Sequence, residues 1–136
     1  MSNKIIPGAG FHHVALRTQD LERSLGFYKA LGMTEIVRWG EGELEIVMLD
    51  IGDGGRIELF ANRGVDYPAE GRWQHFAISA DDVPAAYALA VSLGGKPLIA
   101  PKTVPLDDAR PAPIAIEIAF VEGPDGEQIE FFKQVK

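Results

Sequence analysis

Cysteine is absent from the 136-residue sequence, which excludes disulfide bonds, thiolate metal ligands and a cysteine nucleophile. Long apolar segments are absent as well. No stretch approaches the ~18 apolar residues that a membrane-spanning helix requires. The first ten residues, MSNKIIPGAG, contain too short an apolar run for a secretory signal peptide. We therefore expect a soluble, cytoplasmic protein.

Basic residues are fewer than acidic residues in this sequence. The sequence has 13 Lys and Arg residues against 20 Asp and Glu residues, and its formal net charge at pH 7 is −7. Nucleic acids and anionic membranes select proteins with basic surfaces, so we expect neither as a partner. A hydrophobic fraction of 46% over this length is typical of one globular domain, taken here as residues 1–136.

An internal repeat is the most informative feature of the sequence. Residues 45–60 (EIVMLDIGDGGRIELF) align without a gap with residues 117–132 (EIAFVEGPDGEQIEFF), and seven of these sixteen positions are identical. Upstream, residues 11–16 (FHHVAL) match residues 73–78 (WQHFAI). The repeat predicts two similar modules, at residues 8–62 and 72–134.

Both modules show the same predicted order of elements: a strand, a helix and three further strands. Asp20 and Asp82 are placed to cap the two helices, and Gly32 and Gly94 are placed to end them. The predicted strands are 13–17, 33–38, 44–50 and 56–61 in the first module and 74–80, 96–100, 114–122 and 128–133 in the second, with a polar linker at 62–72 between the modules. Residues 101–113 contain four prolines and little periodicity, so we predict a long loop there.

Each module offers one imidazole and one carboxylate at matching positions: His13 and Glu58 in the first, His75 and Glu130 in the second. Both glutamates stand between large apolar residues in predicted strands, where burial of an unpaired carboxylate is costly. A metal ion is one way to relieve that cost. Two imidazoles and two carboxylates suit a divalent ion such as Ni²⁺, Zn²⁺, Co²⁺, Mn²⁺ or Fe²⁺.

Structural explanations stay open for each of these residues taken alone. A histidine in a strand is more often structural than a ligand, a glutamate can pair with Arg56, and duplicated residues can persist by descent. The set of four nevertheless favours a metal site, because a purely structural duplication has no reason to retain both histidines and both glutamates. We leave out His12, since Gln74 occupies the corresponding place in the second module.

Five segments carry a family resemblance that covers nearly the whole chain. They are HVALR (13–17), DLERSLGFYKALGM (20–33), IELF (57–60), HFAI (75–78) and FVEGPDG (120–126), the last leading to Ile129 and Glu130. Together they resemble the vicinal oxygen chelate superfamily, which includes glyoxalase I, bleomycin-resistance proteins, extradiol dioxygenases and methylmalonyl-CoA epimerases. The resemblance implies an α+β fold in which two βαβββ modules form a curved eight-stranded mixed sheet around a metal cavity.

The order His, Glu, His, Glu resembles that of glyoxalase I. This implies a lyase that converts the hemithioacetal of glutathione and a 2-oxoaldehyde, such as methylglyoxal, into a 2-hydroxyacyl thioester through an enediolate. It also implies one divalent metal ion per site, Ni²⁺ or Zn²⁺ foremost. Glu130 is the implied base, with Glu58 as its counterpart. We expect the glutathione carboxylates to be bound by Arg17, Asn62, Arg72 and Lys102.

Other functions are compatible with the same ligand set. One alternative is another metal-dependent member of the superfamily, such as an epimerase, an extradiol-type dioxygenase or a thiol transferase. A second is a small-molecule binding or resistance protein without turnover. The resemblance also implies a homodimer, so the sequence leaves open whether all four ligands belong to one chain.

Overall fold

The structure is a computed structural model of the chain, and it describes residues 2–30, 32–66, 68, 71–123 and 128–136. The chain divides into two compact units. The first unit comprises His13–Gln74 and Asp108–Pro113, and the second comprises Met1–His12, His75–Asp107 and Ile114–Lys136. Each unit is therefore made of segments that are not consecutive in the sequence.

In the first unit, one helix and four strands repeat the predicted order. These elements are β1 (Gly10–Arg17, in this unit from His13), α1 (Leu21–Ala30), β2 (Thr34–Trp39), β3 (Ile46–Asp50) and β4 (Arg56–Phe60). The strands are ordered β2-β3-β4-β1, and β1 runs parallel to β4. A short 3₁₀ turn at Gly42–Leu44 replaces the start of the strand predicted at 44–50.

The second unit has the same topology. Its elements are β5 (Trp73–Ser79, in this unit from His75), α2 (Val83–Ser92), β6 (Lys96–Leu106), β7 (Ile114–Glu122) and β8 (Gln128–Gln134). The strands are ordered β5-β8-β7-β6, and β5 runs parallel to β8. The predicted α+β class with a duplicated βαβββ arrangement is confirmed. The linker predicted at 62–72 includes Tyr67, Ala69 and Glu70, which lie outside the described residues.

Both helices begin and end as the sequence predicts. Asp20 Oδ1 accepts a hydrogen bond from the Arg23 amide at 3.1 Å, and Asp82 Oδ1 accepts one from the Ala85 amide at 2.9 Å. Gly32 and Gly94 follow the helices with φ of 96° and 101°, in the left-handed region that glycine tolerates best. Within the described ranges, no helix has the length and apolar character needed to cross a membrane.

The prediction of a long loop at residues 101–113 is wrong. Strand β6 continues through Pro101 and Pro105 to Leu106 and pairs antiparallel with β7. Proline is tolerated there because β6 is the outermost strand of its unit, and a register shift lies between Ile99 and Lys102, around Pro101. Only residues 107–113 connect β6 to β7.

Each unit packs its helix on one face of its own strands. In the first unit, Leu21 and Leu25 of α1 pack with four buried strand residues: Val47, Leu49, Ile57 and Leu59. In the second, Val83 and Ala86 of α2 pack with Ala119, Val121 and Phe131. Because side chains alternate along a strand, residues that point away from these helices lie on the opposite face of the sheet. In the first unit that opposite face contains His13 and Glu58, and in the second unit it contains His75 and Glu130.

An ion-pair network on β2 supports the first unit. Glu35 accepts hydrogen bonds from Arg38 and from Lys29, the latter at 2.8 Å. Arg38 also donates to Glu45 at 2.8 Å, and its backbone pairs with that of Arg110. The hydrogen bond from Arg38 is the main reason that the pKa of Glu35 falls from its ordinary value of 4.5 to about 2.

Replacing Glu35 by Gln should lower the free energy of unfolding at pH 7 by about 0.5–1 kcal/mol. Because folding lowers the pKa of Glu35, its stabilising effect is complete above pH 4.5 and is lost as the pH falls toward about 2. The difference in unfolding free energy between wild type and Glu35→Gln should therefore shrink over that range.

Urea denaturation at a series of pH values measures this difference. Glu43→Gln is the control, because Glu43 is exposed in the 3₁₀ turn. The unfolding free energy of this control should stay within about 0.5 kcal/mol of the wild-type value at every pH. If the difference in unfolding free energy between wild type and Glu35→Gln does not change between pH 4.5 and pH 2, the pKa of Glu35 is not coupled to folding.

Candidate metal centre

The first unit holds a buried histidine–glutamate pair. His13 Nε2 lies 3.5 Å from Glu58 Oε1, and the two side chains are 0% and 6% exposed. His13 is on β1 and Glu58 is on β4, and the parallel pairing of these strands sets their separation. The predicted neighbours His13 and Glu58 are thus brought together within one unit.

The second unit holds a pair of the same kind. His75 Nε2 lies 3.0 Å from Glu130 Oε2, and both side chains are buried. His75 is on β5 and Glu130 is on β8, so the pair is built on the same two strands of the repeat as the first one. The ring of Phe120 meets the His75 ring edge-on, with centroids 5.2 Å apart, and fixes its orientation.

A fully buried alanine lies beside each glutamate on the neighbouring parallel strand. Ala15 is the partner of Glu58 in the β1–β4 register, and Ala77 is the partner of Glu130 in the β5–β8 register. Both alanines are 0% exposed. Each alanine contributes only a methyl group beside its carboxylate, and a larger residue would crowd that position. The spacing His-x-Ala, common to both modules, is the sequence signal for this feature.

The chemistry of the two pairs fits a divalent metal ion. A buried carboxylate needs a partner, and in each unit one of its oxygens lies beside an imidazole nitrogen. Nitrogen and oxygen donors of this kind are suited to borderline divalent ions and carry no preference for the soft ions that thiolates bind. The binding of one ion by both pairs together stays a prediction, as does the cavity expected around it.

The four residues expected to bind glutathione have different environments. Arg17 and Asn62 line a cavity of about 150 Å³ in the first unit. Asn62 also closes a local turn, because its Oδ1 accepts a hydrogen bond from the Gly64 amide. Its Nδ2 donates to the carbonyl of Gln19, 43 residues earlier in the chain. Arg72 pairs with Asp66 at 3.5 Å, and Lys102 is exposed on β6.

Three other residues have features that the sequence did not reveal. Arg63 and Gln74 line the same cavity as Arg17, although neither belongs to a repeated position with an obvious chemical role. The ring of His12, which we left out of the ligand set, has its centroid 4.1 Å from that of Phe132. No periodic or motif signal would have identified these contacts.

The sequence matches the family model of the Glyoxalase/Bleomycin resistance protein/Dioxygenase superfamily over residues 10–131. The chain belongs to this superfamily. Its relatives include a lactoylglutathione lyase of Haemophilus influenzae, 35% identical over 129 residues that cover 89% of this chain and 90% of the relative. They also include the Bacillus subtilis protein YwbC, 31% identical over 127 residues that cover 90% of this chain and 95% of the relative.

The structure is similar to that of methylmalonyl-CoA epimerase from Mycobacterium tuberculosis. The TM-score is 0.71 at 19% sequence identity, and the match covers 100% of this chain and 93% of the epimerase chain. At this identity the likeness shows the fold alone, and it agrees with the fold class predicted from the repeat. Superfamily members bind a divalent metal ion and small-molecule substrates.

Enlarging the alanine beside a glutamate should disturb the candidate centre. Ala77→Val adds two methyl groups next to Glu130, and overpacking of this kind costs about 1–3 kcal/mol of stability. We expect the variant to fold with a lower thermal midpoint and to bind less divalent metal than wild type. Ala15→Val, which adds the same two methyl groups next to Glu58, should also lower the thermal midpoint and the amount of bound metal.

The matched control is Ala88→Val, on the exposed side of α2. Thermal unfolding and the metal content of dialysed protein, measured by mass spectrometry, report the two effects separately. Full metal content in both Ala15→Val and Ala77→Val would mean that these alanines do not shape the centre.

Proposed function

We propose that the chain is a metal-dependent lyase of the glyoxalase I type, acting on the hemithioacetal of glutathione and a 2-oxoaldehyde. The observation that carries the proposal is the pair of buried His–Glu contacts at equivalent places in the two units. The relatedness to lactoylglutathione lyases over about nine-tenths of the chain adds support. The homodimer and the cytoplasmic location expected from the sequence belong to this proposal as well.

His13, Glu58, His75 and Glu130 would hold the metal ion between them. When bound, a divalent ion stabilises negative charge that develops on the substrate oxygens and orients those oxygens. Nickel and zinc are the ions that we propose first, with cobalt, manganese and iron compatible with the same donors.

Glu130 is the proposed base. One of its carboxylate oxygens removes the proton from C1 of the hemithioacetal. The electron pair of that C–H bond forms a double bond between C1 and C2, and the π pair of the C2 carbonyl moves onto its oxygen. The same carboxylate then returns the proton to C2 as the oxygen on C1 becomes the thioester carbonyl and its hydroxyl proton passes to the oxygen on C2. The overall step is an isomerisation with no oxidant or reductant. His75, 3.0 Å away, holds Glu130 in place, and Glu58 is its counterpart in the first unit.

Cationic residues would offset the acidic overall charge where the glutathione carboxylates bind. Arg17 is the best-supported of them, because it lines the cavity on the strand that also contains His13. Its Nη1 donates to the Gly71 carbonyl at 3.0 Å, which fixes the guanidinium. Asn62, Arg72 and Lys102 are proposed to bind the same substrate.

The decisive experiment is to remove metal with a chelator and to restore Ni²⁺ or Zn²⁺ in separate samples. We expect isomerisation of the methylglyoxal–glutathione hemithioacetal only after metal is restored, with one bound ion for each set of four ligands. Metal binding without this turnover would show that the proposed substrate is wrong and would support the proposed metal centre. Turnover that requires Fe²⁺ and O₂ would instead favour an oxygenase, and ligand binding that survives chelation would favour a resistance protein.

Replacing Glu130 by Gln should reduce kcat by about 10²–10⁴-fold, which is the usual contribution of a positioned base, while much of the metal stays bound. Metal content and kcat are measured on the same samples, at saturating metal. Recovery of full turnover by Glu130→Gln in excess metal would show that Glu130 acts only as a ligand. Glu58→Gln is the equivalent change in the first unit. Comparing its kcat with that of Glu130→Gln distinguishes the base from its counterpart.

A further inference from the structure

Strand β6 has a long outer edge in the second unit. It spans the 11 residues Lys96–Leu106, most of them exposed, and among the described residues it pairs with β7 alone. The N–H and C=O groups along such an edge can bind a strand of another molecule, and long exposed edges associate unless something prevents it. The direction of the backbone groups of β6 therefore decides whether a second strand can add there.

The hydrogen bonds of β7 fix this direction at Pro105. Ala115 lies opposite Pro105 in the β6–β7 register. Its amide donates to the Lys136 carbonyl at 3.1 Å, and its carbonyl accepts from the Val135 amide at 2.9 Å, so both groups point away from β6. In an antiparallel pair, opposite residues that exchange no hydrogen bonds both direct their backbone groups outward. The nitrogen of Pro105 is therefore on the outer edge of β6.

The same alternation places the nitrogen of Pro97 on this edge. Pro97 lies opposite Val121, which is an even number of residues after Ala115, and β7 pairs with β8 in continuous register. Because backbone directions alternate along a strand, Pro97 also faces away from β7. Two register shifts between the prolines interrupt the edge further. In the regular stretch Lys102–Leu106, Thr103 is the residue whose N–H points outward.

We propose that Pro97 and Pro105 close the outer edge of β6 to strand addition, so that copies of this chain do not join through it. Proline has no N–H, so it offers no donor to the carbonyl of an incoming strand. Neither proline removes a hydrogen bond from the unit itself, because neither nitrogen faces β7. The homodimer proposed above therefore forms through another surface. This inference does not depend on the lyase activity.

Strand β2, at the end of the strand order in the first unit, is closed by a different means. The Arg38 amide donates to the Arg110 carbonyl at 3.1 Å, and the Arg110 amide donates to the Arg38 carbonyl at 2.8 Å. Asp108 Oδ2 also accepts from the Gly40 amide, at 2.6 Å. A segment of the chain thus covers the edge of β2, which contains no proline. The prolines occur in β6, whose outer edge has no such cover among the described residues.

Restoring the two N–H groups tests the inference. Pro97→Thr and Pro105→Thr, alone and combined, supply an N–H together with a side chain that favours strands and adds no large apolar surface. In sedimentation velocity, we expect the double variant to form larger species than wild type at equal protein concentration. Association should tighten by at least about fivefold for each restored hydrogen bond. Pro84→Thr, exposed in the first turn of α2, is the matched control and should sediment as wild type does.

Hydrogen exchange of the Thr103 amide, followed by NMR, gives a second measurement that needs no variant. In wild type, this amide should exchange as fast as other exposed amides at every protein concentration, whereas in Pro105→Thr it should become protected as the concentration rises. Circular dichroism checks that each variant is folded. A folded double variant that sediments as wild type does would overturn the inference. Concentration-dependent protection of Thr103 in wild type, or an equal increase in size of Pro84→Thr, would overturn it as well.

Discussion

The rest of the structure depends on how two glutamates are buried in the middle of strands. A carboxylate in that position is stable only beside a partner, and in both units the partner is an imidazole on the adjacent parallel strand. The parallel register sets that separation, and the helix packed on the other face keeps the strands together. A buried pair of this kind is therefore a property of each module's topology as much as of its two side chains.

Each buried His–Glu pair also includes a small residue beside its glutamate. Ala15 and Ala77 occupy the register positions of Glu58 and Glu130 and are fully buried. A protein interior is close-packed, so space beside a carboxylate exists only where a neighbour is kept small. The two alanines thus recur at equivalent places in both modules, together with the histidines and the glutamates.

The two units differ where substrate recognition is proposed. Arg17 lines the cavity of the first unit. At the corresponding repeat position, the single hydroxyl hydrogen of Ser79 is shared between the carbonyls of Gly8 and Gly10, at 3.0 and 3.2 Å. The second unit uses this position to fix the N-terminal segment of the chain. The duplication is therefore symmetric at the His–Glu pairs and asymmetric around them.

The sequence by itself determined the duplicated βαβββ order, the helix caps at Asp20 and Asp82 and the four candidate ligands, because each depends on local periodicity or on residues repeated at a fixed offset. The tertiary structure decided what depends on strands that are distant in sequence. Pairing with β7 makes Pro101 and Pro105 part of an edge strand, although four prolines in this segment indicated a loop. Likewise, Gln74 and Arg63 share a cavity with Arg17 only because the chain folds back on itself, and no pattern along the sequence contains that proximity.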